Sequence, residues 1–97
     1  MPRPLHVLLV EDDSSDAELV LCELRRAGFE PIWQRVDNEA DYLDRLEARP
    51  EIVLSDYCLP RFSGGRALEL LKERGDDIPF ILISGTVPDV ILAQRMI

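Results

Sequence analysis

Four times in succession, a strand-length apolar run is followed by a segment with helical spacing, and this alternation constrains the fold more than any other feature. The runs are "LHVLLV" (5–10), "FEPIWQRV" (29–36), "EIVLSD" (51–56) and "IPFILISG" (78–85). A nearly continuous apolar run of this length suits a strand buried on both faces. The second run is more mixed and contains Pro31, which has no N–H for a central ladder, so it is expected at a sheet edge. Strand followed by helix, repeated, points to an α/β fold with a parallel sheet and right-handed crossovers.

The helical segments are punctuated. In "SSDAELVLCELRRAG" (14–28), Ser15 and Glu18 suggest a capping box, Ala17, Val20, Leu21 and Leu24 form one apolar face, and Gly28 supplies the stop. "NEADYLDRLEAR" (38–49) is a short amphipathic helix with Asn38 as its N-cap. "RALELLKERG" (66–75) closes on Gly75, and "VPDVILAQRMI" (87–97) begins a last helix at Pro88.

A chain of 97 residues has room for one core, and 46% apolar with 31% charged residues is ordinary for a globular domain. A net charge of −8 with no basic run argues against nucleic-acid binding through the bulk surface. Cys22 and Cys58 form no C-x-x-C pair and are expected as two free thiols in a reducing, cytoplasmic setting. The N-terminus ends its apolar run in acids rather than at a small-residue cleavage site, so no signal peptide is expected. No apolar stretch is long enough to span a membrane.

The fourth strand, "PFILI", has the composition of a sheet interior, and the last helix is apolar on nearly every side. Both expect a further strand and helix, roughly 20–30 residues by usual element and loop lengths. Edge pairing or helix packing between copies, and hence a homodimer, is the corresponding expectation.

Chemistry collects at strand ends. In open parallel sheets, ligands bind outside the carboxyl ends of the strands. Glu11 and Asp12 follow the first strand, Asp56 ends the third, and Ser84 ends the fourth. If the first and third strands are neighbours, their terminal carboxylates converge. Such a group needs a cation or large pKa shifts, and hard oxygen ligands with room for water suit Mg²⁺.

These residues resemble the response-regulator receiver domain of two-component signalling. The match covers nearly the whole chain, 1–97: "VED" for the acidic pair, "SDYCLP" for the phosphoacceptor loop, Gly64 beyond it, and "ILISGT" for the hydroxyl strand. The specificity lies in their joint order, each at the carboxyl end of an expected strand. The resemblance implies a flavodoxin-like, doubly wound parallel sheet of strand order 2-1-3-4, with a fifth strand and helix missing from this chain. It implies that Asp56 accepts a phosphoryl group from a histidine kinase or phosphotransfer protein. Mg²⁺ would be ligated by Asp12, by Glu11 through water, by Asp56 and by the backbone carbonyl of Cys58. Ser84 would hydrogen-bond a phosphoryl oxygen and couple phosphorylation to a conformational switch. The product is an acyl phosphate on a phosphoacceptor rather than the output of a turnover enzyme.

One part of the family pattern is not matched: the lysine after the fifth strand. Lys72 lies on the third helix, where it is not expected to reach the strand ends, and Arg95 on the last helix is a poor substitute. A receiver-like interaction module that works without phosphorylation is therefore the alternative. A phosphatase of the aspartate-nucleophile class is disfavoured, because "DYCLP" offers no second acid. Simpler roles are assigned to the remaining polar residues. Asp13 and Asp16 start a loop and helix, His6 is structural or partly exposed, and Trp33 is packing or a surface aromatic. Gly64 and Gly65 are turn formers, and Ser63 is loop variation where the family often has an acid.

Overall fold

The computed structural model describes residues 2–56, 62–75 and 77–83. The elements run β1 (Arg3–Val10), α1 (Ser14–Arg26), β2 (Phe29–Val36), α2 (Glu39–Leu46), β3 (Ile52–Asp56), α3 (Gly64–Arg74) and β4 (Phe80–Ile83). The strands form one sheet of order β2-β1-β3-β4, and every pairing is parallel. The α/β doubly wound architecture and the strand order 2-1-3-4 expected from the sequence are both present. β2, the strand with Pro31, lies at an edge as expected.

Strand alternation sends neighbouring residues to opposite faces and builds two cores. Val7 and Leu9 of β1, with Leu54 of β3, pack against Ala17 and Leu21 of α1. Val20 and Leu24 complete that helix face, as the apolar spacing required. On the other face Leu8, Val10, Val53, Phe80 and Leu82 meet Tyr42 and Leu46 of α2 and Ala67, Leu70 and Leu71 of α3. Val7 to Val10 are at most 2% exposed, which is why this stretch of β1 shows no polar alternation.

α2 and α3 are held together by more than apolar contact. The Tyr42 hydroxyl donates to the Ala67 carbonyl at 2.7 Å, and its ring lies 5.2 Å from that of Phe62. Arg66 donates to Glu39, and Arg74 to Glu47, on the solvent side of the same seam, while Glu69 one turn along α3 also accepts from Arg66.

Helix ends differ from expectation in places that matter. α1 is capped not by a Ser15–Glu18 box but by Asp13, whose Oδ1 accepts from the backbone N–H of Ser15 and Asp16 at 2.7 and 3.3 Å. A carboxylate acceptor at the positive end of the helix outcompetes a hydroxyl two residues further in. Asn38 caps α2 as expected, accepting from Asp41 N–H at 2.9 Å. α2 itself stops at Leu46, because two tightened turns, Ala48 to Arg45 and Arg49 to Leu46, lead into Pro50. Ser63 is no idle variation: its hydroxyl caps α3 by accepting from Arg66 N–H at 3.1 Å. The fourth helix expected from Pro88 lies outside the described residues.

Candidate functional site

The residues after β1 and at the end of β3 are brought together by register. Val10 pairs with Ser55, so one further step places Glu11 beside Asp56. Glu11 N–H donates to the Val36 carbonyl at 2.9 Å, continuing the β1–β2 ladder past the last strand residue. Both side chains continue inward rows, Val7–Leu9–Glu11 and Ile52–Leu54–Asp56, on the sheet face covered by α1. Asp12, the next residue, is exposed. Glu11, Asp12 and Asp56 each offer a carboxylate oxygen, and these oxygens lie within 4.8 Å of one another.

The electrostatics follow from this crowding. Glu11 is only 7% exposed, and its Oε1 accepts from Asp13 N–H at 3.1 Å. Burial pushes its carboxyl up to about 7, and the Asp56 charge, a hydrogen bond with Asp12 and the Asp16 charge push in the same direction. The Asp13 N–H opposes them but does not win. Asp16 is also raised, first by burial and then by the charges of Asp13, Asp56 and Asp12. Asp16 was assigned a plain helix-starting role by the sequence. Its position one turn past Asp12 in α1 was the available signal that it would share the field of the site. Asp13 keeps to the ordinary task of starting the loop and helix, and does so as the N-cap of α1.

The approach of α3 shapes the β3 end. A Cβ on Gly64 would lie 2.5 Å from Leu82 Cδ2, 2.9 Å from the Asp56 carbonyl oxygen and 3.2 Å from Ser55 Oγ. Gly64 therefore serves close packing on the strand end, not the turn expected of it, and no positive φ occurs there. The buried Ser55 hydroxyl donates to the Asp56 carbonyl at 3.1 Å, fixing the same peptide.

Cys58 and Ser84, both named as candidate site residues, lie outside the described residues, as does Arg95. Lys72 is exposed in the last turn of α3, whose first residue is the one touching Asp56, so it belongs to the far end of the helix. His6 is exposed at the opposite edge of the sheet, where it meets Glu51.

The donor set fits a small divalent cation: three hard carboxylate oxygens, one arm buried and one open to water, with a carboxyl raised by burial and by the acids beside it. A doubly wound parallel sheet with acids gathered at the carboxyl ends of adjacent strands defines a class of α/β module that uses this edge as its working surface. Comparison with known proteins makes the class specific. The family description "response regulator receiver domain" matches residues 7–96. The chain belongs to this family, whose members act in two-component signalling.

Among curated relatives, the regulator of RpoS from Escherichia coli K12 is 31% identical over 105 aligned positions, covering 99% of this chain and 30% of that protein. The DNA-binding dual master transcriptional regulator RpaA of Synechocystis is 30% identical, covering 94% of this chain and 38% of its own length. The chain thus spans about a third of the length of these relatives. Among solved structures, the N-terminal domain of a response regulator receiver protein from Methanoculleus marisnigri JR1 superposes with a TM-score of 0.66 at 27% identity, over 80% of this chain and 64% of that one. The signal receiver domain of a histidine kinase from Syntrophus aciditrophicus gives 0.65 at 28% identity, over 81% and 61%. Among the described residues no helix is long and apolar enough to cross a membrane.

Proposed function

We propose that this domain is a cytoplasmic phosphoacceptor. Asp56 takes a phosphoryl group from a phosphohistidine on a sensor kinase or phosphotransfer protein, and the chain relays the change to a partner without binding nucleic acid itself. The observation that carries this reading is the convergence of Glu11 and Asp12 on Asp56 at the carboxyl edge of the sheet.

In the transfer, an Asp56 carboxylate oxygen forms a bond to phosphorus as the phosphorus–nitrogen bond of phosphohistidine breaks. The imidazole nitrogen keeps the electron pair of that bond, and the aspartate becomes an acyl phosphate. Glu11, Asp12, Asp56 and the Cys58 carbonyl are the residues that would hold Mg²⁺. Bound there, Mg²⁺ supplies the positive charge that offsets repulsion between Asp56 and the phosphoryl oxygens. Glu11, clamped by its N–H and its carboxylate, keeps the acidic loop in place. Gly64 leaves the Asp56 peptide room to sit at the strand end. Ser84 is assigned the hydrogen bond to a phosphoryl oxygen. A new charge biases a loop only if the loop's two states bond to it differently, and a hydroxyl that swings toward the phosphoryl group provides that difference.

Treatment with a small-molecule phosphodonor and Mg²⁺, followed by intact mass measurement, should add one phosphoryl group to wild type. Asp56→Ala should stay unlabelled. Equal labelling of the two would refute the assignment.

A further inference from the structure

We propose that Arg35 is a positioning residue of the acidic site, holding the peptide between Glu11 and Asp12 so that both carboxylates face a bound divalent cation. The inference rests on the cation site proposed above and adds to it a residue from the edge strand.

Arg35 pairs in register with Leu9 on β1, two residues before Glu11. Val36 points into the α2–α3 core, so Arg35 points to the α1 face, the same face as Glu11. From there its Nη1 donates to the Glu11 carbonyl oxygen at 3.2 Å. That carbonyl shares one rigid plane with the N–H of Asp12. Holding the plane fixes ψ of Glu11 and φ of Asp12 together, the two backbone angles that set how the neighbouring carboxylates diverge. Every polar group of Glu11 is then engaged: its N–H by Val36, its carboxylate by Asp13 N–H, its carbonyl by Arg35. β2 supplies two of these three contacts. A strand that contributes no ligand thus orients the loop that contributes two.

The alternative role for Arg35 is a cation that merely softens an acidic surface. The two roles predict opposite signs. A guanidinium near a cation site repels the incoming ion, so removing a pure surface charge leaves Mg²⁺ binding unchanged or tightens it. Removing a positioning contact weakens it.

The test compares wild type, Arg35→Met and Arg35→Lys in Mg²⁺ titrations of the metal-free chain, followed by backbone amide shifts, with thermal unfolding of each in the presence and absence of Mg²⁺. Arg35→Met should bind Mg²⁺ about tenfold more weakly, the low end of what loss of an outer contact to a metal site costs. Arg35→Lys, which can still donate one hydrogen bond to the carbonyl, should recover most of that affinity. Unfolding of Arg35→Met should nearly match wild type without Mg²⁺ and fall behind it with Mg²⁺. Unchanged or tighter Mg²⁺ binding by Arg35→Met overturns the inference and leaves the cation site standing. Failure of lysine to rescue, or an equal loss of stability with and without Mg²⁺, also overturns it. No saturable Mg²⁺ binding by wild type overturns both the inference and the site on which it rests.

Discussion

The two ends of β1 face opposite electrostatic situations. At its start, Glu51 accepts from the His6 backbone N–H at 2.8 Å and lies 3.3 Å from His6 Nδ1, with the Arg3 guanidinium 3.9 Å away. Those contacts, the backbone hydrogen bond first, hold the Glu51 carboxyl below its usual range. At its end, Glu11 is buried among other acids and its carboxyl rises to about 7. One strand therefore carries a carboxylate partner that is satisfied and a carboxylate that is not. The satisfied edge is finished as it stands. At the other edge, burial and the neighbouring acids leave a carboxyl that a proton or a cation would neutralise.

The most disruptive way to test the unsatisfied edge is steric. Gly64→Ala places a Cβ 2.9 Å from the Asp56 carbonyl, a backbone atom that cannot turn aside, and against the Leu82 side chain, which can. It should cost about 1–3 kcal/mol, as overpacking of a dense site does. Amide shift changes should concentrate at Ser55 and Asp56 rather than along β2. Denaturant unfolding with two-dimensional NMR reads both. A loss below about 0.5 kcal/mol, the scale of an ordinary surface change, would mean that α3 does not bear on the strand end.

Next in size is Glu11→Gln, whose sign depends on pH. The folded carboxyl is raised above its ordinary value of 4.5, so the folded state binds more protons than the unfolded chain between about 4.5 and 7. The contribution of Glu11 to the stability of the metal-free protein should be complete below that window and be lost as pH rises through it. The amide removes the titration while still accepting from Asp13 N–H. Glu11→Gln should therefore match wild type near the bottom of the window. In metal-free buffer above it, the variant should exceed wild type by on the order of 1 kcal/mol, allowing for screening by solvent at the open side of the site. Adding Mg²⁺ should stabilise wild type more than the variant. A difference between metal-free wild type and Glu11→Gln that stays flat across the window would break the contrast between the two ends of β1.

How much of this was legible in the sequence depends on the range of the interaction. The sheet was readable because a buried parallel strand writes itself as a continuous apolar run, and a helix as a 3.6-residue spacing. The gathering of Glu11, Asp12 and Asp56 was readable because strand ends in a parallel sheet share one edge. The helix cap was misread because Asp13 and Ser15 are both good acceptors, and only the helix register decides between them. Gly64 was misread because close approach to a strand end leaves the same trace in sequence as a turn. The contacts of Arg35 with Glu11 and of His6 with Glu51 span 24 and 45 residues and follow no period, so nothing local announces them.

The smallest effect belongs to the satisfied edge, and its sign is the reverse of the one at Glu11. A carboxyl held low in the folded state stabilises above its unfolded value, and that contribution is lost as pH falls through the folded one. Glu51→Gln should thus leave the protein slightly less stable than wild type at neutral pH, and the difference should vanish in acid. Because Glu51 is exposed, salt should shrink the difference further. The glutamine can still accept from His6 N–H, so what disappears is the charge and not the hydrogen bond. Measured side by side, Glu11→Gln and Glu51→Gln make the same chemical change at the two ends of one sheet. Opposite signs at neutral pH in metal-free buffer would establish that the carboxyl edge carries excess negative charge while the amino edge is balanced. Equal signs would mean that both edges respond only to the net charge of −8 carried by the whole chain.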